Sequence, residues 1–240
     1  MMRKKLLFTL WLLVPIVVLA FHYGPGQKGL ARDQAAEKIK AARVAEANED
    51  WKAAVTAYAE ALTLLPVEQK TARSKVQLAH ANARMFAGEL PEAILEMESL
   101  LGEMLKSHAD EEQAREVRGT LGSAEYYAGW LMRLEGATPQ EWTAETEQAR
   151  QHFRLLAEET EKEPVVALGY QKNLEATIRL ERMDLSELQG LPLPKQCQGC
   201  KNCSQKCRAQ RSSQCKEPKE GEPKDARKAG VGKRPEGTGS

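Results

Sequence analysis

Apolar residues recur along most of this chain at intervals of three and four, the period of a helix buried on one side. The clearest stretch is Asn48 to Pro66, NEDWKAAVTAYAEALTLLP, where Trp51, Ala54, Val55, Tyr58, Ala61, Leu62 and Leu65 fall on one stripe. Ala54 and Ala61 are small enough for a second helix to come close, and bulky Tyr58 stands between them. Pro66 ends the helix, because its ring and missing N–H cannot continue the ladder. The Ala-rich segment before it, Ala35 to Ala47, places Ile39, Ala42, Val44, Ala45 and Ala47 on a helical pattern. The two segments predict a helical hairpin over about residues 35–68.

The pattern returns. Gly88, Leu90, Pro91, Ala93, Ile94, Met97, Leu100 and Leu101 repeat it, with Leu90 in the place of Trp51, Ala93 of Ala54, Met97 of Tyr58 and Leu100 of Ala61. Pro91 sits at an early helical position, where a missing N–H costs nothing. The first helix of this copy runs from about Ser74 to Ala87, with Val76, Leu78, Ala79, Ala81, Ala83 and Phe86. A third, stretched copy spans Arg115 to Glu161: Leu121-Gly122, Tyr126, Tyr127, Trp130 and Leu134 mark one helix, and Ala149, Phe153 and Leu156 take the places of Ala54, Tyr58 and Ala61. Between them Thr138-Pro-Gln-Glu141 reads as a capping box. Glu163 to Met183 predicts a last helix, with Val166, Leu168, Tyr170, Leu174, Ile178 and Leu180 as the face that closes the stack.

These residues resemble the tetratricopeptide repeat, whose second helix runs Gly-Asp-Tyr-x-x-Ala-x-x-x-Tyr-x-x-Ala-Leu-x-x-x-Pro and whose unit is about 34 residues long. Here Asn48 or Glu49 stands for the Gly and Trp51 for the first Tyr. The resemblance covers about residues 35–160 and weakens along the chain. It implies an all-α fold of stacked antiparallel helical hairpins, a TPR-like α-solenoid of about three irregular repeats plus a capping helix, over residues 35–183. An unrelated helical bundle would show the same stripes. The resemblance also implies a groove lined by the first helices, into which a partner's extended or helical segment lies. In that register Lys40, Arg43, Lys75 and Asn82 are the polar groove residues, suited to a carboxylate or to backbone carbonyls.

The two ends are built differently from this body. Arg3, Lys4 and Lys5 precede an uncharged run, Leu6 to Phe21. A cationic start before an apolar run keeps the N-terminus cytoplasmic and sends the rest across the membrane. The run is shorter than the ~20 residues of a comfortable span, and Val18-Leu19-Ala20 offers a cleavage site, so residues 1–23 read as a signal anchor or a signal peptide. Either way the body is exported: anchored, it belongs to an inner membrane as a single-pass protein facing the extracytoplasmic side. Residues 24–34, with Gly24, Pro25 and Gly26, read as a linker.

The net charge of +1 hides a division, because from Lys195 onward twelve Lys/Arg stand against five Asp/Glu, +7, leaving about −6 for residues 1–194. All five cysteines lie in the basic tail, residues 184–240, behind the stiff Leu191-Pro-Leu-Pro194. Cys197, Cys200, Cys203 and Cys207 have the C-x2-C-x2-C-x3-C spacing of a bacterial ferredoxin run. Arg208 replaces the Pro of that run, no second run follows, and an oxidising compartment favours disulfides. Disulfides, a soft metal such as zinc, and an iron–sulfur cluster remain the three readings of these four thiols. Beyond Cys215 the sequence is Pro, Gly, Lys and Glu with almost nothing apolar, a composition that does not offset ordering entropy.

No phosphate-cradling glycine loop, HExxH or GxSxG occurs, and His22, His80, His108 and His152 are scattered on or beside helices. No enzyme, no cofactor and no nucleic-acid partner is expected. The sequence points to a membrane-tethered scaffold that binds protein partners through its groove, with self-association open; the alternative is a metal or redox protein using the cysteine cluster. The scaffold reading predicts that anaerobically purified full-length protein carries no stoichiometric iron or zinc by elemental analysis. Metal that disappears when Cys197, Cys200, Cys203 and Cys207 become Ser would favour the alternative.

Overall fold

The computed structural model describes residues 27–107 and 110–195, together with residues 11 and 13–15, and among these every regular element is a helix. In chain order they are α1 (Gln27–Ala47), α2 (Trp51–Leu64), α3 (Lys70–Phe86), α4 (Leu90–Lys106), α5 (Glu111–Leu134), α6 (Pro139–Glu159), α7 (Pro164–Arg182) and the short α8 (Leu185–Gly190). Each of α1 to α7 packs mainly on its sequence neighbours, and the first helices α3, α5 and α7 also touch in turn. The result is a solenoid-like stack of antiparallel hairpins, the fold class that the repeat resemblance implies.

The hairpin turns share one hydrogen-bond pattern. After α1, the Glu49 N–H donates to the Glu46 carbonyl at 2.9 Å and the Asp50 N–H to the Ala45 carbonyl at 2.9 Å. After α3 the same pair is Gly88 to Met85 at 3.3 Å and Glu89 to Arg84 at 2.9 Å. After α5 it is Gly136 to Arg133 at 3.2 Å and Ala137 to Met132 at 2.9 Å. This is the Schellman closure, which satisfies the last helical carbonyls and needs a left-handed residue. Gly88 (φ 85) and Gly136 (φ 75) supply it without strain, whereas the first turn uses Glu49 at φ 56. Of the two residues that stand in the glycine's place, the structure therefore selects Glu49.

Caps complete the turns. The Asp50 carboxylate accepts from the Ala53 N–H at 3.1 Å, and Asp110 accepts from Glu112 and Gln113 at the start of α5. The Thr138–Glu141 capping box forms as predicted. The carbonyls at the end of α2 receive a different partner: Arg73 of α3 donates to Leu62 and Leu65, both at 2.8 Å. Arg133 of α5 does the same for α7, donating to the Leu180 and Met183 carbonyls while its guanidinium lies 4.6 Å over the Trp142 ring.

The core is continuous because inner helices bury two faces. On α3, Val76 and Ala83 pack with Ala35, Ala42, Ala54, Tyr58 and Ala61 of the first hairpin. Its opposite side, Leu78, Ala81 and Met85, packs with α4 and with Val117, Leu121, Ala124 and Leu131 of α5. Helix α5 in turn presents Trp130 to Leu180 and Leu188, which seats α8. Between α5 and α6 the approach is closest. A Cβ built on Gly129 would lie 2.5 Å from Cγ2 of the buried Thr146, and one on Gly122 would lie 3.2 Å from Phe153 and His152.

Three expectations change. Helix α1 begins at Gln27, so the stretch expected as a linker over 24–34 is helical from that residue on. Leu30, Ala31, Gln34 and Ala35 follow Gly29 with no further breaker, and Ala-rich sequence propagates a helix once it starts. On α7, Leu180 is buried and Tyr170, Leu174 and Ile178 are half-buried, but Val166 and Leu168 are exposed at 41% and 50%. The α6–α7 connection rotates the start of α7 so that Ala167 faces the stack instead. Helix α8 was not expected within the tail, although Asp184 ahead of Leu185-Ser-Glu is an N-terminal signal. Among the described residues no helix is long and apolar enough to cross a membrane. Most of the Leu6–Phe21 run, His22, His108 and the five cysteines lie outside the described residues.

The close α5–α6 contact makes a test. Ala in place of Gly at a helix interior ordinarily stabilises by about 0.5–1 kcal/mol. At position 129 overpacking against Thr146 costs about 1–3 kcal/mol, so Gly129→Ala is expected to lower the thermal midpoint. Gly102→Ala on α4, where nothing lies within 4 Å of the added Cβ, is expected to leave it unchanged or raise it.

Candidate functional site

The two edges of each first helix differ. Along α3, Arg73, His80 and Arg84 occupy one edge and all turn toward second helices: Arg73 to α2, as described, and the others to α4. His80 Nδ1 lies 2.8 and 2.9 Å from the two Glu96 oxygens, so Nδ1 carries the proton and donates to the carboxylate. Arg84 bonds Glu89 at 2.9 Å and Glu96 at 3.3 Å. These half-buried, charge-assisted contacts tie α3 to α4. The opposite edge of α3, at the helical period, carries Lys75 and Asn82, two turns apart. Lys75 is exposed and Asn82 half-buried.

On α5 the corresponding edge carries Glu116, Thr120, Ser123 and Tyr127. Here the Thr120 and Ser123 hydroxyls donate to carbonyls one turn back, Glu116 and Gly119, both at 3.0 Å, and keep lone pairs for incoming donors. Tyr127 packs edge-on against Tyr126, which meets Trp130 at 5.9 Å between ring centres. Helices α3 and α5 touch, with a cation and an amide on the α3 edge and a carboxylate, two hydroxyls and an aromatic ring on the α5 edge.

Lys40 and Arg43 share a face of α1 and are both exposed, but α1 makes no contact with α3 comparable to those between later first helices. The four sequence-predicted groove residues therefore form two pairs, Lys40 with Arg43 and Lys75 with Asn82. Arg43 has a further role at the Tyr58 hydroxyl, where Glu46 also lies. Tyr58 is 2% exposed, and burial, followed by the Glu46 charge, pushes its phenol from 10.0 up to about 12, with Arg43 opposing.

Several polar groups were missed in the sequence because they pair across helices distant in the chain. Arg118, 8% exposed, binds Glu159 at 3.0 Å, and Arg115 binds Glu163 at 3.1 Å. They line a cleft of about 520 Å³ with Glu111 and Lys162, so that three cations face three carboxylates and the charge cancels. A second cleft, of about 630 Å³, opens where α3 begins, α4 ends and α5 begins, among Lys70, Ser74, Gln77, Met104, Asp110 and Gln113. The buried Glu125 lies 3.6 Å from His152 Nε2 across the α5–α6 contact. Among the described residues no group of three or more His, Cys, Asp and Glu is placed to hold a metal ion.

The chain matches no family model, no curated protein and no solved structure.

The raised phenol at Tyr58 gives a pH dependence. The folded state holds its proton where the unfolded chain has lost it, so the stabilisation is complete below pH 10 and disappears as pH rises through about 12. Denaturant midpoints measured across this alkaline range are expected to fall less steeply for Tyr58→Phe than for the unaltered chain, and absorbance titration should lose its highest-pH tyrosine component.

Proposed function

We propose that this chain is a membrane-tethered, TPR-like scaffold that holds a protein partner on the edge of its first helices. What carries this reading is the asymmetry of α3: one edge spends its charged side chains on α2 and α4, while the other carries Lys75, exposed, and Asn82, half-buried, on a first helix that touches α5. Edges with separated donors, acceptors and one aromatic ring suit backbone carbonyls and carboxylates of a bound segment better than they suit chemistry on a small substrate. Lys40 and Arg43 add positive charge one hairpin away and steer an acidic partner toward the same side.

The cationic N-terminus and the apolar run after it support tethering, with the helical stack on the extracytoplasmic side. Repeat stacks of this kind bind through an extended surface rather than a single pocket, so each contact contributes modestly.

Charge reversal tests it. Lys40→Glu and Lys75→Glu combined should abolish partner capture by full-length protein in detergent extracts of its own membranes, while circular dichroism and thermal midpoint stay unchanged, since both side chains are exposed and Arg43, which meets the Tyr58 hydroxyl, is left in place. Undiminished capture would rule out this edge as the binding surface.

A further inference from the structure

The cleft where α3 begins, α4 ends and α5 begins departs from the pattern of the helices that build it. On α3 the stripe that packs toward α4 and α5 includes Ala81 and Met85; carried back toward the start of the helix, the same stripe gives Gln77, Ser74 and Lys70. On α5 the stripe of Val117, Ala124 and Ala128 begins at Gln113. These are core-facing positions held by polar residues. Only α4 keeps the apolar pattern, with Leu100 and Met104 in the wall of the cleft. Where residues break the local rule of an otherwise consistent sequence, function is the usual reason.

Their hydrogen-bonding capacity is not used up. Gln113 is 5% exposed, and its Nε2 is buried without a hydrogen-bond partner. Buried amide hydrogens in native proteins nearly always meet an acceptor, from the chain, from water or from a ligand. The Lys70 ammonium and the half-buried Gln77 amide also make no hydrogen bond or ion pair among the described residues. The neighbouring cleft is different, because there Arg115 and Arg118 are already paired with Glu163 and Glu159.

The start of α3 adds partial positive charge. Gln69 makes no side-chain cap bond and no acidic residue stands in the first turn, whereas α5 has Asp110, Glu111 and Glu112 at its start. Lys70 and Thr71 of that first turn line the cleft. The helix end, the ammonium and the buried amide all favour an anionic acceptor. Glu103 and Asp110 on the rim disfavour one with two charges. A volume of about 630 Å³ holds more than a carboxylate, and Leu100 and Met104 suit an apolar group attached to it.

We propose that this cleft binds a single carboxylate carrying an apolar group, the oxygens held by Gln113 Nε2 and Lys70 and the apolar group against Leu100 and Met104. The site lies on the packing stripe of α3, apart from the edge of Lys75 and Asn82, and does not depend on the scaffold reading. Its chemistry is offered both by a free small acid and by an acidic side chain between apolar residues of a peptide.

Equilibrium dialysis of the full-length protein in detergent separates these sources with three probes: N-acetylleucine, its neutral relative N-acetylleucinamide, and the peptide acetyl-Leu-Glu-Leu-amide. At least one of the two carboxylates should bind, and N-acetylleucinamide should bind about ten-fold more weakly or not at all. Gln113→Leu should weaken carboxylate binding about ten-fold without lowering the thermal midpoint, since an apolar group of similar size replaces an amide that has no partner. Lys70→Met, at an exposed position, should weaken it up to about five-fold.

Binding of N-acetylleucine would identify a free acid as sufficient, and binding of the peptide alone would identify a segment of a partner; either supports the site. No binding of either carboxylate, equal binding of the amide, or binding that survives both substitutions would overturn it. Partner capture by the Lys40 and Lys75 variant is read separately, so this site and the scaffold reading can fail independently.

Discussion

The contact between α5 and α6 is the constraint on which the second half of the molecule depends. Gly129 leaves room for Thr146, and Gly122 leaves room for Phe153, so the two helices meet nearly backbone to side chain over two turns. A methyl group at either place would push α6 outward. Everything beyond α6 is positioned by that distance: Tyr170 of α7 packs against Gly119, and Trp130, on the next face of α5, receives Leu180 and Leu188.

A stack in which each helix meets its neighbours lacks one central core, and its stability is shared among interfaces. Three features keep these interfaces in register. Helices α3 and α5 bury two or three faces instead of one, which joins successive apolar clusters. Arginines on first helices cap carbonyls of other units, Arg73 for α2 and Arg133 for α7, so a helix end is completed only when the next unit is docked. The repeated Schellman turn sets the angle at which each second helix folds back. The polar side chains left over, Lys75 and Asn82 on α3 and Thr120 and Ser123 on α5, are those on the edge that no second helix covers.

How much of this was legible depends on the range of the interaction. The hairpins, the close-packed Ala54 and Ala61, the buried Tyr58 and the Thr138–Glu141 box are written in residues a few positions apart, and each appears where the spacing places it. The candidate site was half legible. Lys75 and Asn82 share an edge because they are seven residues apart on one helix, but Thr120, Ser123 and Tyr127 lie on α5, which meets α3 only through tertiary docking. The pairs Arg118 with Glu159 and Glu125 with His152 join α5 to α6 across 27 to 41 positions, and no local pattern announces them.

By itself, then, the sequence determined the helices, their order as hairpins and the glycine-like turn at residues 48 and 49, because helical period, capping and turn chemistry act within a few residues. Tertiary structure alone decided which of Asn48 and Glu49 takes the left-handed conformation, which face α7 turns inward, and that Lys195 meets Glu49 of the first hairpin turn. Those outcomes follow from the cumulative rotation and spacing of several packed helices. Small differences in each interface add along the stack, and the position of its far end relative to its start is their sum.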